Sequence, residues 1–283
     1  MENADAAPVR GLENADAAPV RGVESTGPAP VRGVEDNGPA PERGLENTGP
    51  AADPATGPAP VPVPNGPVRP GLDRLAADAW QLTAGDAPRV VLGIAGPPGA
   101  GKSTLARALV ERIGAGAAYL PLDGFHLSNA QLARLRLTAR KGSEPSFDVH
   151  GYGALLRRVL ADTGRDIYVP DYDRTLHEPV AARHLVAPGA RLVVTEGNYL
   201  ACDLPGWREA RALMGECWYV EAPGDVRQQR LIERQLAGGR TQEGAREWVA
   251  GNDDPNGELV ETSRSRCDRI LSTIGMDMFN YRQ

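Results

Sequence analysis

Apolar residues recur at helical spacing over Leu72 to Leu82, then close up into the run Arg89 to Ala95, RVVLGIA. The first pattern predicts a helix and the second a buried strand. After a glycine-rich break, Leu105, Leu109 and Ile113 return to helical spacing. A short strand ending at Leu122 follows, then a helix opened by Ser128-Asn129-Ala130-Gln131, which fits a capping box, and a helix from about Tyr152 to Ala161. Further strands are expected at Ile167 to Val169, Leu192 to Thr195 (LVVT) and Cys217 to Val220 (CWYV). The next helix, 226–236, starts after Asp225 with Gln228 as its reciprocal cap. Strands separated by helices in this order predict an α/β fold, a mostly parallel sheet with helices on both faces.

The first 70 residues break this pattern. They repeat every eleven positions (ENADAAPVRGL, ENADAAPVRGV, ESTGPAPVRGV, EDNGPAPERGL), with proline in every unit and glycine in most. Such composition cannot bury enough apolar surface to offset its ordering entropy, so 1–69 is expected to be a disordered, repetitive tail and 70–283 the folded domain. Of the formal charge of −6, the first 70 residues hold ten acids against five arginines, which leaves the remainder near neutral and without the basic footprint of a nucleic-acid binder. Three cysteines stand singly with no C-x-x-C pair, which argues against a disulfide framework or zinc ribbon and fits a reducing compartment. The start lacks a basic or apolar leader, and nowhere do about 18 apolar residues run together. The expectation is a cytoplasmic protein with no membrane partner.

The break after RVVLGIA reads Gly96-Pro97-Pro98-Gly99-Ala100-Gly101-Lys102-Ser103-Thr104, which matches G-x-x-x-x-G-K-[ST]. Its setting, after an apolar strand and before an amphipathic helix, is what a phosphate-holding loop of P-loop NTPase type needs. Glycines let backbone N–H groups turn toward phosphates, the helix N-terminus adds partial positive charge, Lys102 reaches the β- and γ-phosphates, and Ser103 can ligate Mg²⁺. Lys102 and Lys141 are the only lysines in a chain that otherwise uses arginine.

In a parallel sheet the C-terminal strand ends share one edge, where ligands bind. After the strands come Asp123 in LPLDGF, Asp171-Tyr172-Asp173 and Glu196-Gly197. Glu196, at the end of an apolar strand, suits magnesium; Asp123 suits the base that takes the proton of an attacking hydroxyl. Arg227, Arg230 and Arg234 fall on one face of helix 226–236, with Gly238-Gly239 beyond as a hinge, so a cationic lid is expected near 226–256.

GPPGAGKST, LDGFHLSN, RKGSEPSFD, PDYDRTLHEP, VTEGNYL and NDDPN together make the chain from about Val90 to Thr273 resemble the P-loop kinase group. That group includes uridine kinase, phosphoribulokinase and type I pantothenate kinase, and the resemblance is strongest to its nucleoside/nucleotide kinase-like members. The resemblance implies ATP and Mg²⁺ as cofactors and Asp123 as base; Lys102 of the loop and Arg230 and Arg234 of the lid helix are the candidates for the transferring phosphate. It implies metal-holding roles for Ser103 and Glu196, an acceptor pocket with Tyr172, Arg174 and His177, and often a homodimer. Phe125, His126, Lys141 and Asn198 join the acceptor candidates from the same motifs. The continuation Glu178-Pro179 departs from the uridine kinase form.

The expected activity is therefore transfer of the ATP γ-phosphoryl group to a hydroxyl of a small metabolite: a nucleoside, a pantothenate-like alcohol or a sugar. The alternative is a P-loop ATPase or nucleotide-dependent switch acting on a protein partner. Against a GTP switch, neither lysine follows an asparagine, so no N-K-x-D segment exists.

Overall fold

The computed structural model describes residues 70–272. The repeats of 1–69, expected as a tail, lie outside the described residues. The chain runs α1 (Pro70–Gln81), β1 (Val90–Ala95), α2 (Lys102–Ile113), β2 (Ala117–Pro121), α3 (Asn129–Arg134), α4 (Val149–Ala161), β3 (Ile167–Asp173), β4 (Glu178–Val186) and β5 (Leu192–Glu196). It continues through α5 (Trp207–Arg211), β6 (Glu216–Glu221), α6 (Gly224–Ala237), α7 (Gln242–Trp248), α8 (Asp254–Glu261) and β7 (Arg269–Ser272).

Five strands form a parallel sheet in the order β2-β5-β1-β6-β7. Side chains alternate across it, so one run of apolar residues feeds two cores. Val91, Val193 and Tyr219 meet Tyr152 and Leu156 of α4, Trp207 of α5 and Val260 of α8. On the other face Leu92, Ile94, Val194 and Trp218 meet Leu105, Leu109 and Ile113 of α2 and Leu72 and Leu75 of α1. Each fully buried Leu, Ile or Val in these layers contributes about 1.5–3 kcal/mol. Arg89, just before β1, is buried and donates to the carbonyls of Ala190, Val159 and Ala187, so it ties the strand's start to α4 and to the turn before β5.

Two expectations need correction. Ile167 to Val169 does not join the parallel sheet: β3 pairs antiparallel with β4 in a separate hairpin, a strand the apolar pattern did not mark. Pro170 cannot donate to a ladder, and the register shifts between Val169 and Asp171, as at a bulge. The hairpin covers only one face, with Ile167, Val169 and Val186 buried and Tyr168 and Leu185 exposed, and its turn holds His177 at φ +53°. The second correction concerns α6. It begins at Gly224 with Pro223 as N-cap and no side-chain cap bond, so Gln228 is not a reciprocal cap. Asp225 instead lies inside the first turn, where its charge favours the helix dipole. Ser128 does cap α3, its oxygen accepting from the Gln131 N–H at 3.3 Å. Among the described residues no helix is long and apolar enough to cross a membrane.

Candidate active site

The loop between β1 and α2 takes its shape from glycine. Gly96 has φ +145°, and a Cβ there would sit 2.2 Å from the Val220 carbonyl oxygen of β6, so no side chain fits. Gly101, at φ +98°, turns the backbone into α2. Lys102 is only 7% exposed and its Nζ donates to the Pro97 carbonyl at 3.0 Å. Burial lowers its pKa to about 8, while Glu196 and Asp123 pull it upward. A buried ammonium with one backbone acceptor and two carboxylates in range is prepared for anionic oxygen.

Glu196 ends β5 in register with Ile94 of β1 and Pro121 of β2. It is 4% exposed, and the Tyr119 hydroxyl donates to it at 2.8 Å. Burial, then the nearby Asp123 carboxylate, push its pKa above the usual range, against Lys102 and hydrogen bonds from Tyr119 and Ser103. A buried carboxylate whose ionisation is disfavoured by burial and by a second carboxylate nearby, beside a serine hydroxyl, suits a divalent cation, and magnesium commonly takes one or two carboxylates plus phosphate oxygens. Among the described residues no group of three or more His, Cys, Asp and Glu forms a protein-only cage.

Asp123 lies in the 3₁₀ turn Leu122–Phe125, two residues beyond the end of β2, with the Arg174 guanidinium 3.6 Å from its carboxylate. Gly124 lets this turn approach the hairpin: a Cβ there would lie 2.3 Å from the Pro170 carbonyl. A cavity of about 440 Å³ opens here, with Ser103, Thr104, Asp123, Glu196, Tyr172 and Arg174 on its wall. Asp171, Arg107 and Glu111 of α2, and Arg234 of α6 complete its charged lining. Burial disfavours the Asp171 carboxylate, but hydrogen bonds from His184, at 2.8 Å, and from the Tyr172 N–H hold its pKa below the ordinary value. Burial pushes the Tyr172 phenol up to about 12.

Five other residues read as acceptor-binding stand off this wall. Phe125 packs edge-on to Tyr152 in the core. His126 stacks between Phe147 and Tyr172, its Nδ1 2.8 Å from the Asp123 carbonyl oxygen, and burial lowers its pKa. Lys141 donates to Asn129 Oδ1 and, at 2.6 Å, to the His177 carbonyl, and its Nζ lies 5.1 Å from the Tyr172 ring centroid. The His177 side chain is exposed at the hairpin turn, and Asn198 is partly buried after β5. His126 and Lys141 touch the wall-forming Tyr172, and His126 also Asp123. Glu178, where the sequence departs from the uridine kinase form, accepts from the Asn129 N–H at 3.0 Å and fastens α3 to the hairpin.

The arginines of α6 reach this edge by different routes. Arg230 donates to the Gly99 carbonyl at 3.1 Å, and Arg234 reaches Asp253 at 3.4 Å. Arg227 pairs with Glu261 at 2.8 Å, while its backbone closes against Gly99. Sequence reasoning missed Tyr119 and Arg107, which share a cation–π contact of 5.2 Å. The spacing of Arg107 one turn beyond Ser103 on α2 was a usable signal, whereas Tyr119 read only as strand filler.

With this geometry in place, the Phosphoribulokinase / Uridine kinase family matches residues 91–274. The chain belongs to this family. It is therefore a small-molecule kinase, and the family implies ATP as donor. It is similar to the YggC protein of Escherichia coli (strain K12), 36% identical over 189 residues that cover 65% of this chain and 77% of that protein. A uridine kinase of Halobacterium salinarum is 30% identical over 188 residues, 65% of this chain and 80% of its own length. A crystal structure from Silicibacter sp. TM1040, provisionally assigned as a fructose transport system kinase, superposes with a TM-score of 0.66 at 31% identity. It covers 71% of this chain and 98% of that one.

Proposed function

We propose that this kinase moves the γ-phosphoryl group of Mg·ATP to a hydroxyl of a small metabolite, with Asp123 as the base. The observation that carries the reading is the meeting of Lys102, Glu196 and Asp123 at one sheet edge beside a cavity of metabolite size. Backbone N–H groups of Gly99 to Thr104 would hold the phosphates, with Lys102 reaching the β and γ groups, and Ser103 with Glu196 would hold the cation. When bound, magnesium neutralises charge on the phosphate oxygens. Asp123 accepts the hydroxyl proton, and the Arg174 guanidinium, 3.6 Å away, orients the carboxylate toward the acceptor. Arg230 and Arg234, on a lid formed by α6–α8, approach the transferring group. Positioning and electrostatics supply the acceleration, with little covalent chemistry asked of the protein.

Tyr172 and Arg174 face the acceptor. Relatives named for uridine and for fructose transport point to nucleosides and sugars as the first compounds to try, with pantothenate-like alcohols as the third class. The reading places the enzyme in the cytoplasm. The test is an acceptor panel with ATP and magnesium, following ADP release above the no-acceptor rate, on wild type and Asp123→Asn. A productive acceptor whose turnover falls about 100- to 10,000-fold in the variant, with ATP binding retained, supports the proposal. ADP release that ignores every acceptor and survives Asp123→Asn would favour an ATPase or switch.

A further inference from the structure

The three cysteines, scattered along the sequence, converge in the fold. Cys217 lies in β6 and Cys267 just before β7, the strand that pairs with it, and their sulfurs are 3.9 Å apart. Backbone bonds already hold the two segments together. The Asp268 N–H donates to the Cys217 carbonyl at 2.9 Å, and the Asp268 carboxylate accepts from the Cys217 N–H at 2.7 Å. A sulfur separation of 3.9 Å leaves about 2 Å to close to the bond length of a disulfide. Cys217 is buried, whereas Cys267 is partly exposed and reachable from solvent. Cys202, also buried, adjoins this pair on the side of Ser263.

We propose that Cys217 and Cys267 are an oxidisable thiol pair that closes into a disulfide on reaction with hydrogen peroxide. The Cys267 thiolate attacks one peroxide oxygen, the O–O bond breaks, and the departing hydroxide leaves as water after taking a proton. This leaves a sulfenic acid on Cys267. Cys217 sulfur then attacks the Cys267 sulfur, the S–O bond breaks, and hydroxide departs with the Cys217 proton as a second water. Two thiols lose two electrons and the peroxide gains them. The division of labour follows the surroundings: contact with Cys217 lowers the pKa of Cys267, the thiol open to solvent, while the same contact and burial raise that of Cys217.

The position gives the bond a consequence. Residues 217 and 267 bracket α6, α7 and α8, the segment carrying Arg227, Arg230 and Arg234, with Cys217 in one strand of the central sheet and Cys267 just ahead of its neighbour. A covalent tie there would fix β7 to β6 and close the loop that carries all three helices. β6 also touches the phosphate loop, since Gly96 packs against the Val220 carbonyl.

The test uses the full chain treated with equimolar to tenfold hydrogen peroxide, alkylated, digested without reduction and read by mass spectrometry. The expected product is a peptide pair joined through Cys217 and Cys267, two hydrogens lighter than the sum, and reversed by dithiothreitol. The oxidised protein should melt about 5–10 °C higher, from loss of unfolded-state freedom in the closed loop. Cys267→Ser should abolish both effects, and Cys202→Ala should leave the joined pair in place. The Cys217–Cys267 peptide appearing in wild type but not in Cys267→Ser carries the proposal. Peroxide that leaves both thiols free, drives Cys267 to sulfinic acid without a joined peptide, or links Cys202 instead overturns it.

Discussion

The phosphate side and the acceptor side of the cleft are built in opposite ways. On the phosphate side nine consecutive residues, Gly96 to Thr104, supply the loop, and the two charged groups behind it, Lys102 and Glu196, are almost fully buried. On the acceptor side Arg107 of α2, Asp123 beyond the end of β2 and Arg174 of the hairpin turn reach into solvent, while Asp171 of β3 is held by His184. Arg107 is 56% exposed, Arg174 62% and Asp123 37%. A triphosphate has one shape whatever follows it, so its site is fixed by packing and strained glycines before any ligand arrives. The acceptor side leaves long side chains to be ordered by the compound they hold, at an entropic cost that the right acceptor must offset.

The sharpest break in this comparison comes from Lys102→Ala. Its ammonium is held in place with no reorganisation needed, so the loss of kcat/KM for ATP is expected to be about 100- to 1,000-fold, whichever acceptor is used. A loss that varied widely from one acceptor to another would contradict a separate phosphate half. Steady-state kinetics with two unrelated acceptors reads the difference.

The contrast also governs what a sequence reader can see. The β1–loop–α2 unit is contiguous, with its period switching from strand to helix at the glycines, and Glu196 follows an apolar strand; both are legible in the chain. The hairpin is not, because Pro170 and the half-exposed β4 (EPVAARHLV) give no clean alternation. After α6, NDDPN is readable as part of the family resemblance, but what it packs against is hidden for another reason. Asn252, Asp253 and Asn256 are buried polar groups whose packing shows no apolar periodicity. Asn252 and Asn256 donate to the carbonyls of Lys141 and Gly142, more than a hundred residues away, and the π-helical turn Val249–Asp253 has no sequence signature. The thiol pair is equally silent, since fifty residues separate its members. Local chemistry is readable, and long-range polar docking is not.

A pH series sharpens the comparison with a smaller effect. In the free enzyme burial favours the neutral amine of Lys102, and its pKa falls from 10.5 to about 8. Bound phosphate favours the ammonium, so kcat/KM for ATP is expected to stay level up to about pH 8 and fall close to tenfold per unit above it, while kcat holds to higher pH. Stability moves the other way. Between about pH 8 and 10.5 the unfolded chain keeps a proton that the native lysine has lost, so this group's destabilising effect is full below pH 8 and fades as pH rises through that window. Profiles of kcat/KM for ATP and of thermal midpoint, measured together, should therefore diverge above pH 8. Parallel decline of the two would assign the pH effect to unfolding instead.

The smallest effect should come from Lys141→Met, which touches only the acceptor side. Lys141 joins Asn129 at the start of α3 to the His177 carbonyl in the hairpin turn and stands over the Tyr172 ring, yet it does not line the cavity. Methionine keeps the stem and removes the ammonium, so the turn that carries Tyr172 and Arg174 loosens without leaving a hole. A partly exposed charged hydrogen bond of this kind contributes about 1 kcal/mol, which corresponds to roughly a fivefold rise in the acceptor KM. The ATP KM and the kcat at saturation should stay within about twofold, because nothing Lys141 bonds reaches the phosphate loop. If the ATP KM rose in step with the acceptor KM, the hairpin would have to be coupled to the phosphate side, and the division of the cleft into a fixed half and an adaptable half would be lost.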